Sequence, residues 1–153
     1  MRMKKKVFLA ALVASVGVVA APRPLDLNGS WEFRFEEGKS WKEADPAFAA
    51  TDRIVVPGCF DALPKWFMKR GTGHYRRTFT LDAPVENAWL VVDGLGLYGT
   101  FRIDGRDIGT DALPWSRVEI PTGPLAAGEH TLFAAVDNRF DWSYQKLVRT
   151  YYC

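Results

Sequence analysis

The chain is poor in the residues that most enzymes use for chemistry. It has two histidines, His74 and His130, and two cysteines, Cys59 and Cys153. Each histidine falls beside an expected strand, which suits a structural or surface role. No Ser/His/Asp constellation can be assembled, and no group has metal-ligand spacing, so neither a metal nor a cofactor is expected. Gly94-Leu95-Gly96 lacks the third glycine and the following helix of a dinucleotide fingerprint and reads as a tight turn. Two isolated cysteines make neither a disulfide framework nor a metal site. Cys59 is expected to be a buried free thiol, although an exported chain would permit it to pair with Cys153. Repeats, low-complexity segments and interdomain linkers are missing as well.

An excess of charge of one sign is also lacking. Twenty basic residues stand against eighteen acidic ones, a formal net charge of +2. Arg2, Lys4, Lys5 and Lys6 form a basic start, followed by the one long apolar run, Val7–Ala20. This is the pattern of a secretory signal peptide over residues 1–20, with small residues at Val18-Val19-Ala20 for cleavage after Ala20. The run is short for a stable membrane anchor, and no lipobox cysteine follows. A periplasmic or secreted protein is expected. Loss of the four basic residues turns the net charge to about −2, so the charge balance gives no reason to expect nucleic acid as a partner.

What is present is aromatic and alternating. Six Trp and ten Phe suit a β-rich core or a surface that stacks on sugar rings. Trp31, Phe33 and Phe35 alternate with Glu32, Arg34 and Glu36, and Tyr75–Leu81 alternates likewise, the period of half-buried strands. Asp52–Val56 reads as a short strand stopped by Pro57-Gly58, and Ala88–Val92 as a continuous apolar, buried strand. Asp104-Gly105 predicts a tight hairpin between Thr100–Ile103 and Arg106–Gly109. Its register sets Ile103 against Arg106, Arg102 against Asp107 and Phe101 against Ile108. Arg117–Ile120 and His130–Asn138 complete the set, with Pro121–Glu129 as a turn-rich crossing. About eight short strands with no long helix predict an all-β fold, an antiparallel β-sandwich over residues 21–153.

The longest stretch without periodicity is residues 59–74, CFDALPKWFMKRGTGH. Loops carry function more often than strands, so a ligand surface is sought here first. The competing reading is a packed loop whose aromatics cap the sandwich end. Candidate carbohydrate contacts are Trp66, to stack on a pyranose ring, and Asp61 and Arg70, to bond its hydroxyls. Asp141, in the aperiodic tail, is a fourth. The carboxylates are scattered, without the paired arrangement that glycosidase chemistry requires, so no catalytic residue is expected.

The order of motifs resembles one family. Leu27-Asn28-Gly29-Ser30-Trp31-Glu32-Phe33 opens the domain, and Val55-Val56-Pro57-Gly58 precedes a variable loop. Then come Gly73-His74-Tyr75-Arg76-Arg77-Thr78-Phe79, the Asp104-Gly105 hairpin, Ala127-Gly128-Glu129-His130-Thr131-Leu132 and Val136-Asp137-Asn138. Over about residues 25–141 this resembles the N-terminal sugar-binding domain of glycoside hydrolase family 2, the β-galactosidase/β-glucuronidase/β-mannosidase family. The resemblance implies a galactose-binding-like jelly roll. It also implies downstream immunoglobulin-like and TIM-barrel partner domains, the barrel carrying both catalytic glutamates of a retaining exo-glycosidase acting on terminal β-glycosides. The family usually continues with a Gly-Gly-Ile-x-Arg-like segment, whereas this sequence stops at Tyr151-Tyr152-Cys153. A domain incomplete at its C-terminus, belonging to a truncated or fragmentary enzyme, is therefore expected. The alternatives are a stand-alone carbohydrate-binding module and a protein-interaction β-sandwich.

Overall fold

The computed structural model describes residues 24–111 and 115–139. The expected signal peptide and Asp141 lie outside the described residues. Eight strands follow in chain order: β1 (Gly29–Glu37), β2 (Asp52–Val56), β3 (Gly71–Leu81), β4 (Val85–Val92), β5 (Tyr98–Ile103), β6 (Arg106–Asp111), β7 (Val118–Leu125) and β8 (Gly128–Asp137). Six form one sheet in the order β2-β1-β3-β8-β5-β6, and β4 pairs with β7 in a second. Every pairing is antiparallel. The fold is the antiparallel β-sandwich expected from the alternation.

The core lies between the two sheets. Trp31, Phe33 and Tyr75 reach it from β1 and β3, Phe101, Ile103, Leu132 and Ala134 from β5 and β8, and Val118 and Ile120 from β7. Phe33 is fully buried. Its ring meets Trp66 at 4.8 Å and 70° and Tyr75 at 4.9 Å and 66°, edge-to-face contacts that aromatic quadrupoles favour. Phe60 stands 5.8 Å away. The cluster closes only because position 73 is glycine, where a Cβ would come within 2.8 Å of the Phe33 ring.

The opposite face of the large sheet is covered too. Residues 39–50 cross it, with Ala44 and Phe48 packed on Phe133 and Ala135. The strand β8 is therefore buried on both faces, which explains its unbroken Leu132-Phe133-Ala134-Ala135. His74 lies under this cover, 2% exposed, its ring 5.7 Å from Phe48 and 6.1 Å from Phe133. Glu36 stands 3.2 Å from its Nε2, but neither ring nitrogen makes a well-directed hydrogen bond. Burial lowers the His74 pKa, outweighing the opposing pull of Glu36.

Several local readings need correction. The strand β4 is half-buried, not buried: Trp89 and Val91 face solvent while Ala88, Leu90 and Val92 face the core. The expected crossing at 121–129 is largely strand, because β7 runs on through Pro121 to Leu125 at the edge of a two-stranded sheet, where proline is tolerated. In the β5–β6 hairpin Arg102 pairs with Asp107 and Ile103 with Arg106 as expected. A bulge then shifts Phe101 onto Gly109 instead of Ile108. The turn itself holds Asp104 at φ 52° and Gly105 at φ 77°, the positive values that this hairpin requires.

Asp104 also ties the hairpin to β8. Its carboxylate accepts from the Thr131 N–H at 2.8 Å and lies 2.7 Å from His130 Nδ1. The other ring nitrogen of His130 faces the Ala126 carbonyl at 2.8 Å. Two acceptors on one imidazole suit the doubly protonated ring. The Asp104 bond and then the Ala126 carbonyl accordingly raise the His130 pKa. For Asp104, burial works upward, but the bonds from His130 and Thr131 outweigh it and hold the carboxyl below its usual range.

Two outcomes are expected. Phe33→Ala should lower the unfolding free energy by about 3–5 kcal/mol in a denaturant titration, the usual cost of removing a buried phenylalanine; a loss under about 1 kcal/mol would contradict the packing. The raised His130 pKa contributes stability that is complete below the unfolded value of about 6.5 and lost as pH climbs through the folded value. The stability gap between the wild type and His130→Gln should therefore shrink from about pH 6 to about pH 9. His74 has the opposite sign in this window but is common to both proteins, so it cancels. A gap independent of pH would refute the assignment.

Candidate functional site

The loop from Pro57 to Arg70 caps one end of the sandwich and gathers the polar candidates. It opens with a 3₁₀ turn at Phe60–Ala62 and is tightened by the Trp66 N–H on Leu63 O and the Lys69 N–H on Trp66 O, both 3.0 Å. Phe60 and Trp66 point inward, at 3% and 7% exposure. Trp66 thus belongs to the core. Its ring is spent on Phe33 and has no free face for a sugar, so the stacking role expected for it is not available. The aromatic that this loop presents to solvent is its neighbour Phe67, 65% exposed, beside Met68 at 71%.

Asp61 and Arg70, both sequence candidates, do come together, with Nη1 3.8 Å from Oδ2. Asp61 also accepts from the Cys59 thiol at 2.7 Å and from the Asn138 side-chain amide at 3.1 Å. Burial alone would raise the Asp61 pKa, but these donors and the Arg70 charge prevail and keep it below the ordinary carboxylate range. The same contact acts in reverse on Cys59. Burial of the sulfur and then the Asp61 bond push its thiol up to about 11. Cys59 is free as expected, but the residue as a whole is exposed, not buried. A thiol held protonated is a poor nucleophile.

Asn138, not among the sequence candidates, is the hub. Its amide donates to Asp61 and to the Lys69 carbonyl at 3.0 Å, and its side-chain oxygen accepts from the Gly71 N–H at 3.0 Å. Its own backbone N–H reaches Gly71 O at 3.2 Å. The asparagine therefore fastens the end of the loop to the end of β8. The signal in the sequence was an Asp-Asn pair just where the β8 alternation stops, since Asn can substitute for backbone partners at strand ends. Its neighbour Asp137 is 2% exposed and is met by Arg139 Nη2 at 2.8 Å and Nε at 3.0 Å, with the Trp41 N–H at 3.4 Å.

Both carboxylates are engaged by donors, and no group of three or more His, Cys, Asp or Glu among the described residues could hold a metal. What the rim offers outward is Phe67 and Met68 flanked by Lys65, Lys69 and Arg70, with Lys65 paired to Asp52 and Lys69 to Glu37.

No family model matches the sequence, and no curated protein does. Solved structures do match. A β-glucuronidase from Faecalibacterium prausnitzii superposes with a TM-score of 0.65 at 24% identity over 76% of this chain and 21% of its own. A Ruminococcus gnavus β-glucuronidase in complex with uronic deoxynojirimycin gives 0.66 at 21% identity, over 75% of this chain and 21% of that one. A family 2 (GH2) β-galacturonidase from Eisenbergiella tayi gives 0.55 at 20% identity, over 74% and 18%. The likeness is one of fold. This β-sandwich is built like part of those glycosidases, as the resemblance in motif order implied. The chain spans about a fifth of the length of the structures it matches.

Asn138→Ala removes three side-chain hydrogen bonds and leaves the Asp61 carboxylate short of a donor. It should destabilise the chain by about 1–3 kcal/mol and speed tryptic cleavage at Lys65 and Lys69. Unchanged cleavage together with an unchanged melt would show that the loop is held by the aromatic core alone.

Proposed function

We propose that this chain is the non-catalytic N-terminal β-sandwich domain of an exported retaining exo-glycosidase, inactive without a catalytic barrel. The observation that carries the reading is the match of three quarters of the chain to about a fifth of two β-glucuronidases and a family 2 β-galacturonidase. The basic start and apolar run of residues 1–20 support export. The sugar is proposed to be a uronide, since the matched structures are glucuronidases and a galacturonidase. In such an enzyme the rim at Phe67–Arg70 would face the substrate or the domain that holds it.

A second reading, a stand-alone carbohydrate-binding module, is favoured by one observation. Phe67 stands free on a rigid loop among hydrogen-bonding cations, a suitable platform for a pyranose.

The chain alone should not hydrolyse any of a panel of p-nitrophenyl β-glycosides that includes the glucuronide and the galacturonide. A protein expressed from the full genomic region, with the barrel, should hydrolyse a uronide with retention of configuration. Turnover by the chain alone, or a genomic region that encodes no barrel, would refute the proposal. Calorimetric binding of neutral sugars by the isolated chain, abolished in Phe67→Ala, would favour the module.

A further inference from the structure

The buried imidazole of His74 takes no part in the loop rim or in the Asp104 tie. It stands on the outer face of the large sheet, 2% exposed, with Arg34 beside it on β1 and Ala135 on β8. Its roof is the segment 39–50, which lays the Phe48 ring 5.7 Å away, and Phe133 closes the side at 6.1 Å. Neither ring nitrogen makes a well-directed hydrogen bond. A neutral imidazole carries one donor and one acceptor, so leaving both unmet under this roof already costs stability.

The charges around the ring disfavour a proton on it. Glu36 on β1 brings Oε2 to 3.2 Å from Nε2. Arg34 already holds that carboxylate at 2.9 Å, and Lys39 stands 3.7 Å from it. A protonated His74 would be a third cation on one carboxylate, in a place shielded from water. The neighbouring charges are matched elsewhere: Arg76 of β3 pairs with Glu32, and Asp137 of β8 with Arg139. On the roof, Lys42, Glu43 and Asp45 are exposed, and Lys39 is the one whose charge acts on the ring. Burial, with Arg34 and Lys39 behind it, therefore outweighs Glu36 and lowers the His74 pKa.

The roof is held less firmly than what it covers. It pairs with no strand, has one 3₁₀ turn at Trp41–Glu43, and buries only Ala44 and Phe48. Its polar anchors to the sheet are the Thr72 hydroxyl on Lys39 O at 2.8 Å, the Trp41 N–H on Asp137 at 3.4 Å, and Arg76 Nη1 on the Pro46 and Phe48 carbonyls at 3.5 and 3.2 Å. Such a segment opens at less cost than the sheet beneath it. Lifting it gives the imidazolium the water it lacks. We propose that residues 39–50 are an acid-released strap: protonation of His74 lifts the segment off β3 and β8 while the sandwich stays folded. The strap is closed above about pH 6.5, the ordinary histidine value, and loosens as pH falls below it. Its release bares the outer face of β8 at Phe133 and Ala135.

The test is amide exchange followed by NMR on the full chain between about pH 7.5 and 5.5, above the ordinary carboxylate range, with the intrinsic pH dependence divided out. The Ala44 and Phe48 amides, bonded within the strap to the Trp41 and Asp45 carbonyls, should lose protection several-fold on acidification. The limit is about tenfold at pH 5.5, one unit below the value of an open histidine. The paired amides of β3 and β8 should keep theirs. His74→Phe, an apolar ring in an aromatic site, should hold the strap at both pH values; His130 titrates in both proteins and cancels. In the same wild-type spectra the His74 ring should titrate below about 6.5, a reading that needs no variant. Strap protection that does not change with pH, a loss shared equally by β3 and β8, the same loss in His74→Phe, or a His74 ring titrating at or above about 6.5 would each overturn the proposal.

Discussion

Phe33 occupies the point where three segments of the chain must meet. Its ring sits between β1 and β3 and under the loop that follows β2, with Tyr75 and Trp66 both edge-on to it. The space exists because position 73 carries no side chain. One buried ring and one glycine therefore decide where the loop from Pro57 to Arg70 lies. With Phe60 and Trp66 drawn in, Asp61 and Lys69 arrive where Asn138 can bond both. The polar rim is a consequence of the aromatic core beneath it.

The large sheet is used on both faces, and this shapes what the chain can do. One face makes the sandwich core. The other is covered by residues 39–50, so that polar side chains such as Asp137, His74 and Thr72 end up buried at strand positions. Most of that polarity is committed: Asp137 to Arg139, and the Thr72 hydroxyl to the Lys39 carbonyl at 2.8 Å. Groups so engaged hold a fold in register; they are not poised for proton transfer. The Phe67 tip of the loop stays open to solvent.

The strands were legible because alternation survives wherever one face is buried and the other is wet. Trp31-Phe33-Phe35 and the Asp104-Gly105 turn were readable for that reason. The start of β3 was not, because Gly71-Thr72-Gly73 has too few side chains to show a period. The continuous apolar run of β4 was misread because a small two-stranded sheet leaves Trp89 and Val91 outside, whatever their hydrophobicity. At the site, Asp61 and Arg70 were each singled out from the loop by residue type, and their 3.8 Å approach to one another was not foreseen. Trp66 and Phe67, adjacent aromatics in an aperiodic loop, carry no local signal of which turns inward. Only the tertiary gap beside Phe33 decides that. Asn138 was read only as part of a motif, because most of its partners are backbone groups far along the chain.

The central claim is that the loop from Pro57 to Arg70 is a rigid rim set by the core beneath it, not a mobile flap. Native-state hydrogen exchange tests it most directly. The Trp66 and Lys69 amides, each bonded at 3.0 Å within the loop, should exchange as slowly as the amides of β1 and β3 and open with them as one unit. Fast exchange of those two amides while β1 and β3 stay protected would contradict the account.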